Sequence, residues 1–244
     1  MTDDALRLLH GPLMALMRCS GLVVTLPLIG TRGVPAAVRA VLALALAAFV
    51  FPSVAVAPPP LVQWGPRALG ELAIGLAFGL SVRFALAAAF HAGQLAGSAM
   101  GFTYAATLDP LSGHEAPAWA QIVEVGALGT AVAMGFHRAV VAWLWRSMEL
   151  VPVGGGVPWR DLFDRVVETV LGALVLGTQL ALPALAAVLA VQLWLAAVGR
   201  TAAQLNLSTL GFLATVVVGG VVLGGTTPTL CVTVARSVLE VAAR

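Results

Sequence analysis

Residues 71–101 read ELAIGLAFGLSVRFALAAAFHAGQLAGSAMG, an apolar stretch in which small residues recur at a spacing of four. Positions four apart lie on one face of an α-helix, so the spacing predicts two grooves into which neighbouring helices fit. Two interpretations stay open: the chain packs these grooves against its own helices, or the grooves receive helices of other subunits. The first row consists of Glu71, Gly75, Gly79 and Arg83, and the second of Gly93, Gly97 and Gly101.

The rest of the chain has the composition of a membrane protein. Of its 244 residues, 60% are hydrophobic and only 10% are charged, whereas soluble domains carry about 25% charged residues. A helix needs roughly 20 apolar residues to cross a bilayer, and four uncharged runs of this chain are longer than that. The apolar fraction excludes a disordered chain, and the scattering of the arginines among acids excludes a nucleic-acid-binding face. The four runs are residues 40–66, 84–108, 169–199 and 201–235.

Helices are the expected secondary structure, because the apolar runs lack the alternation of a membrane barrel strand. Prolines and glycines predict where these helices end. The predicted helices end within 27–35 and at 58–60, and then cover about 66–106, 117–150 and 159–198, the last with a kink at Pro183. The final stretch is broken by Gly219–Gly220, Gly224–Gly225 and Pro228, which predicts two short helices in a hairpin. No polar segment is long enough to fold separately, so residues 1–244 are predicted to form one domain.

Four charged residues lie in apolar surroundings, namely Glu71, Arg83, Glu124 and Arg138. A lone charge inside a membrane costs several kcal/mol, so each of them is expected to have a partner or to border water. Pairing within an assembly is one interpretation of these charges. A transport or proton-relay pathway is the other.

The segment around Ser112 and His114 is the place that most resembles an active site. A zinc-peptidase helix needs a second His four residues after His114, and a serine-hydrolase turn needs glycines where this chain has Pro110 and His114. Neither requirement is met. Cys19 and Cys231 share no metal or redox spacing, so both are expected to be free. We therefore predict no catalytic residue, no metal ligand and no cofactor.

A series of short motifs runs along nearly the whole chain. The motifs are Arg18-Cys-Ser-Gly21, Pro27-Leu-Ile-Gly30, Glu71-Leu-Ala-Ile-Gly75, the stretch from Gly93 to Asp109-Pro110, Gly135-Phe-His137 with Ser147 and Pro152, and Arg200-Thr-Ala-Ala-Gln204-Leu-Asn206. Their order and spacing resemble the FliR family of flagellar export-gate proteins, whose injectisome relatives are called SctT. The chain departs from the family pattern at Ala203, where Pro is usual, at Arg138, where His or Leu is common, and at Ser208-Thr209.

The resemblance implies an all-α membrane protein of kinked helical hairpins, packed as one subunit of a helical export-gate assembly. P-type and Q-type subunits would complete a closed channel in the bacterial inner membrane, at the flagellar basal body. A B-type switch protein and exported unfolded proteins are further expected partners. Helix packing or subunit contact is expected at Glu71, Gly75, Gly79, Gly93, Gly97 and Gly101. Hairpin tips and turns are expected at Asp109, Pro110, Gly135, His137, Ser147, Pro152, Arg200, Gln204 and Asn206.

The expected function is that of a non-enzymatic core subunit of a type III protein export gate for flagellar assembly. Two alternatives stay open. One is the corresponding subunit of an injectisome gate, and the other is a stand-alone secondary transporter, which Glu71, Arg83 and Glu124 would suggest. Transporters often contain inverted repeats, and the two halves of this chain share no matching motif. A nucleic-acid partner is not expected.

Overall fold

The computed structural model of the chain describes residues 2–30, 33–50, 60–102, 118–201 and 207–243. Within these ranges the regular structure is helical and contains no strand, so the prediction of an all-α protein is confirmed. The helices are α1 (Thr2–Thr25), α2 (Ala36–Val50), α3 (Trp64–Ala99), α4 (Ala118–Ala133), α5 (Phe136–Leu150), α6 (Trp159–Thr201) and α7 (Leu207–Ala243), with a 3-10 turn at Leu61–Gln63 before α3.

Three of the helices are long and apolar enough to cross a membrane, namely α3, α6 and α7. The pair formed by α4 and α5 adds a fourth span if the two helices are counted as one broken crossing. Helix α1 is not among these candidate spans in the described part of the chain. Length and composition therefore support a protein that passes through the bilayer several times.

The chain divides into two compact units. The described part of the first unit contains α1, α2, α3 up to Ala85, α5, α6 up to Val170 and the last residues of α7. The second contains the remainder of α3, helix α4 and most of α6 and α7. A single domain over residues 1–244 stays a prediction.

In the first unit, glycines bring the backbones of α1 and α3 into direct contact. A Cβ atom added to Gly75 would collide with the backbone of Arg18 and Leu22, and one added to Gly21 would collide with the backbone of α3. A Cβ on Gly79 would meet the side chain of Thr25. The first glycine row of α3 is therefore filled by this chain's own α1, and its contact with other subunits stays a prediction.

Aromatic side chains attach α5 to the same unit. The ring of Trp143 stacks on Phe78 of α3, with centroids 3.6 Å apart and planes 12° apart. Trp145 meets Phe49 of α2 edge to face at 6.3 Å. Such aromatic pairs contribute about 0.5–1.5 kcal/mol beyond their burial, so α5 is held on two sides by helices that precede it in the chain.

The second unit has a core of small and medium apolar side chains. Ala96 and Met100 of α3 pack with Ala184 and Val188 of α6 and with Leu223 of α7. Small residues let these helices approach closely, as expected where apolar lipid gives helices little hydrophobic reason to associate. A Cβ on Gly93 of the second glycine row would lie 2.6 Å from the Cα of Ala120 in α4, and Gly97 is buried.

Gly101 lies beyond the end of α3, because this helix ends at Ala99 and not near residue 106 as predicted. Its φ is +92°, and its N–H donates to the Ser98 carbonyl while the next N–H, of Phe102, donates to the Gly97 carbonyl. This pattern is a Schellman motif, in which a left-handed glycine terminates the helix. Gly101 therefore ends α3, and its predicted part in helix packing or subunit contact stays a prediction.

Gly135 interrupts the fourth predicted helix. Its φ is +93°, and it separates α4 from α5 at the N-cap position of α5. Glycine adopts this left-handed conformation at little cost. The predicted single helix over 117–150 is therefore two helices in the structure.

The predicted hairpin at the end of the chain is wrong. Residues Leu207–Ala243 form one helix, which contains Pro228 and the glycine pairs at 219–220 and 224–225. Long apolar helices tolerate glycine and proline where side chains and neighbours satisfy the freed backbone groups, so these residues do not end α7.

The glycine contact between α1 and α3 can be tested by adding one methyl group. We expect Gly75→Ala to lower the free energy of unfolding by about 1–3 kcal/mol, because the new Cβ overpacks against backbone that cannot move aside easily. The control is Gly172→Ala in α6, where an added Cβ meets nothing within 4 Å. Alanine favours helix over glycine, so this control should be neutral or stabilising. Thermal unfolding of the purified chain in mild detergent measures both, and equal melting temperatures for the two variants would contradict the packing account.

Candidate functional site

A buried ion pair joins α1 and α3 in the first unit. The Nε of Arg18 donates to Oε2 of Glu71 at 2.6 Å. Arg18 is 0% exposed and Glu71 is 2% exposed. Two charges removed from water cost more than their mutual attraction returns, unless further hydrogen bonds satisfy the remaining donors and acceptors. Both side chains have such bonds.

The remaining donors of Arg18 bind the end of α5. Nη1 donates to the carbonyl oxygen of Ser147 at 2.8 Å and lies 3.3 Å from its hydroxyl, and Nη2 donates to the carbonyl of Val151 at 2.9 Å. The last carbonyls of a helix carry partial negative charge, and the Ser147 carbonyl also accepts the N–H of Val151. Arg18 therefore caps α5 with a buried cation.

The remaining oxygen of Glu71 binds the loop that follows α5. Oε1 accepts a hydrogen bond from the N–H of Gly154 at 2.8 Å, and Arg67, one turn before Glu71, donates to the Gly154 carbonyl. Gly154 has a φ of +75°, a conformation that favours glycine. We call this set of contacts the Arg18 clamp, which consists of Arg18, Arg67, Glu71, Ser147, Val151 and Gly154.

The glycine packing explains why the clamp forms where it does. The backbone of Arg18 lies against Gly75, and Gly75 is one helical turn from Glu71 on the same face of α3. Close approach of the two backbones places the guanidinium next to the carboxylate. A larger residue at position 75 would separate the helices and lengthen the ion pair.

A cleft of about 410 Å³ borders the clamp. It lies between the end of α5, the loop 151–158 and the first turn of α6, and Trp143, Arg146, Asp161 and Arg165 line it together with apolar side chains. Arg146 also donates to the carbonyl of Ala243 at the end of α7. The cleft mixes both signs of charge.

The cysteines and the possible metal ligands offer no reactive centre in the described part of the chain. Burial raises the pKa of the Cys19 thiol to about 12, so it is protonated at neutral pH. Cys19 and Cys231 are both buried and free, as expected. Among the described residues, no three His, Cys, Asp or Glu side chains are grouped closely enough to hold a metal ion.

Three residues that the motifs single out meet at the clamp. Glu71 and Ser147 are members of it, and Pro152 lies in the loop that it holds. His137, by contrast, is exposed in the first turn of α5. Arg200 is exposed in the last turn of α6. With Arg18, which begins another of the motifs, the structure therefore brings together residues from three motifs in the first unit.

The remaining predicted positions divide into exposed residues and residues outside the described ranges. Arg83 and Arg138 are exposed, and Glu124 is half-buried and has an interaction partner. Asp109, Pro110, Gln204 and Asn206 lie outside the described residues, as do Ser112 and His114. Their predicted roles stay predictions.

Sequence reasoning did not identify Arg18, Arg67 or Gly154 as site residues. The sequence does contain an indication for Arg18. Like Glu71, Arg18 is a charged residue that interrupts an apolar run. Two opposite charges of this kind, each near glycines of a predicted helix, suggest a buried pair. The sequence contains no comparable signal for the bond between Glu71 and the backbone of Gly154.

The fold and the clamp together define an all-α protein that spans a membrane. Residues 10–241 match the family described as Bacterial export proteins, family 1, and the chain belongs to that family. Flagellar biosynthetic protein FliR of Escherichia coli (strain K12) is 30% identical over 208 residues, which make up 84% of this chain and 79% of that protein. The FliR of Bacillus subtilis (strain 168) is 29% identical over 206 residues, which make up 82% of this chain and 79% of the Bacillus protein.

A third relative gives the same result. The FliR of Caulobacter vibrioides (strain ATCC 19089 / CIP 103742 / CB 15) is 28% identical over 187 residues, 75% of this chain and 74% of that protein. The resemblance to the FliR family is thereby confirmed. With its several apolar helices, the chain is a protein of the bacterial inner membrane.

Removal of the clamp's cation should destabilise the chain strongly. We expect Arg18→Met to lower the free energy of unfolding by about 3–5 kcal/mol, because it leaves the Glu71 carboxylate buried without its partner. The matched control is Arg160→Met, which breaks a 4.0 Å ion pair with Asp164 whose side chains are 93% and 68% exposed. Exposed pairs contribute at most about 1 kcal/mol. Denaturant unfolding in detergent measures both, and a loss for Arg18→Met no larger than that for Arg160→Met would contradict the clamp.

Proposed function

We propose that this chain is a non-enzymatic component of the flagellar type III export apparatus, in which it forms part of the export channel together with P-type and Q-type subunits. The observation that carries the proposal is the family match over residues 10–241, together with relatives that are named flagellar biosynthetic proteins. A B-type switch protein and exported unfolded proteins are the further partners of this proposal. The hairpin and turn roles of Asp109, Pro110, Arg200, Gln204 and Asn206 belong to it as well.

The surfaces of α6 and α7 support a role as a subunit. Both helices expose many large apolar side chains along their membrane-length segments. Exposed apolar patches of this extent indicate contact with protein or lipid. They include Leu171, Val175, Leu182, Leu189, Leu193, Trp194, Phe212, Leu213, Val217 and Val221.

Open glycines favour protein contact over lipid contact on these helices. A Cβ added to Gly172, Gly220, Gly224 or Gly225 would meet no atom of the described residues within 4 Å. Such gaps allow the backbone of another helix to approach closely. These four glycines differ from Gly75 and Gly93, where other helices of this chain occupy the gap.

Exposed amide side chains on α6 also favour contact with another protein over contact with lipid. Gln179 and Gln192 are exposed within the apolar segment of α6. An amide that faces lipid without a hydrogen-bond partner costs free energy, and a neighbouring helix can supply the partner. A subunit packed on this helix would satisfy both side chains.

The two alternative functions have less support. The relatives carry flagellar names, which favours a flagellar over an injectisome apparatus. The transporter hypothesis depended on isolated charges in the membrane. Glu71 is paired with Arg18, and Arg83 is exposed, so neither is an isolated buried charge of the kind that a transport pathway uses.

Co-expression with P-type and Q-type subunits tests the proposal. A tagged chain should copurify with both partners after mild solubilisation, and it should restore motility to a flagellated strain that lacks its own homologue. A chain that is monodisperse without these partners and that catalyses substrate-dependent uptake in vesicles would support the transporter instead.

The open glycines provide a sharper test of the assembly. We expect Gly220→Leu to leave the unfolding temperature of the isolated chain unchanged or slightly raised, because its Cβ enters open space and leucine favours helix over glycine. Overpacking costs roughly 1–3 kcal/mol, and each 1.4 kcal/mol is a factor of ten, so the recovery of partner subunits should fall about tenfold. Quantitative copurification measures this ratio, with exposed Arg160→Met as the control that should retain both partners. Full recovery with Gly220→Leu would show that this face of α7 is not an interface.

A further inference from the structure

His10 of α1 is a buried titratable group that the clamp does not use. Its side chain is 0% exposed. Neither Nδ1 nor Nε2 has a hydrogen-bond partner among the described residues. The imidazole meets Trp64 edge to face, with ring centroids 5.0 Å apart. A fully buried histidine with two unsatisfied ring nitrogens is costly to keep.

The loop 151–158 covers this ring. A Cβ added to Gly154 would lie 2.9 Å from Cε1 and 3.5 Å from Nε2 of His10, so the ring edge that carries Nε2 faces the Gly154 backbone. Val153 of the same loop is buried. The loop itself contains no titratable side chain. Removing the loop from α1 and α3 would therefore expose the ring to water.

The charges around His10 come from α1 and α3. Burial first, and then the Arg67 guanidinium, hold the pKa of His10 below its ordinary value of 6.5, while the Glu71 carboxylate acts in the opposite direction. Arg18, on the same helix as His10, is paired with that carboxylate. A proton on His10 would thus enter a buried site beside the Arg67 guanidinium and near a carboxylate, that of Glu71, which Arg18 already pairs.

We propose that His10 makes the closure of the loop 151–158 depend on pH: the loop is closed while His10 is neutral and is released when His10 takes up a proton. Three hydrogen bonds of the clamp would break on release of the whole loop, from Gly154 to Glu71, from Arg67 to Gly154 and from Arg18 to Val151. The carboxylate oxygen that Gly154 leaves would then face the new imidazolium charge. The proposal does not depend on the export function.

The direction of the pH dependence follows from the difference in proton affinity of His10 between the closed and the open loop. The closed state binds the His10 proton more weakly than the open state does, so closure is most stable above pH 6.5 and weakens as the pH falls below that value. For one proton, the ratio of open to closed loop rises by up to about tenfold for each pH unit below 6.5, until His10 titrates in the closed state as well. The expected transition lies at mildly acidic pH.

A spin label on the loop tests this directly in the full-length chain. Gly156 is exposed, and a Cβ added there meets nothing within 4 Å, so Gly156→Cys is a suitable label site. Because the native cysteines are buried, the label attached at neutral pH goes to the new thiol. The mobile fraction of the electron paramagnetic resonance spectrum is then followed from pH 8 to pH 5 in detergent, with helicity measured by circular dichroism at each pH.

We expect the mobile fraction to rise below pH 6.5 with helicity unchanged. His10→Gln and His10→Phe, of which the second keeps an aromatic ring beside Trp64, should both abolish the rise. His137→Gln removes an exposed histidine of α5 and should leave the rise intact. The proposal is overturned if the G156C chain shows no rise, if the rise accompanies loss of helicity, or if it persists in both His10 variants.

Discussion

The burial of Arg18 is the constraint on which the first unit depends. A guanidinium without access to water must have its charge and its donors satisfied by protein. Glu71 supplies the opposite charge, and the end of α5 supplies the carbonyl acceptors. The Arg18 side chain of α1 thus fixes the positions of α3 and α5 relative to α1. Glu71 extends the same hydrogen-bond network to Gly154. The aromatic contacts of Trp143 and Trp145 then pack around a position that the clamp has already specified.

Inside the helices glycine serves two purposes, and the structure separates them. Gly21, Gly75 and Gly93 sit where neighbouring helices of the same chain leave no room for a Cβ. Gly172 and Gly220 lie where no described residue of this chain fills the gap. In a bilayer, where apolar burial alone does not drive helices together, close backbone approach is a main source of packing energy. The filled positions account for the fold of each unit, and the open positions suit the proposed assembly with other subunits.

The local features of the fold could be predicted from the sequence, whereas its tertiary contacts could not. Apolar runs, and the prolines and glycines that interrupt them, predict the helices and the membrane spans, because length and hydropathy are local properties. They fail at the final hairpin, since Gly219, Gly220 and Pro228 are tolerated inside a long apolar helix. Glu71 and Ser147 are recognisable singly, but their meeting at Arg18, which lies 53 positions from Glu71, follows only from the backbone contact at Gly75. The role of His10 depends on a loop more than a hundred residues away, and no local pattern signals it.

The most direct measurement of the central claim is a double-mutant cycle between Arg18 and Glu71. It compares the free energies of unfolding of the parent chain, Arg18→Met, Glu71→Gln and the double variant, all in the same detergent. Residues that share one network couple by about 0.5–3 kcal/mol. We predict a coupling near the upper end of that range, with the double variant more stable than the sum of the single losses implies, because neither charge is then left alone. Additive losses would contradict the account, since they would mean that Arg18 and Glu71 act independently and that the clamp does not organise the unit.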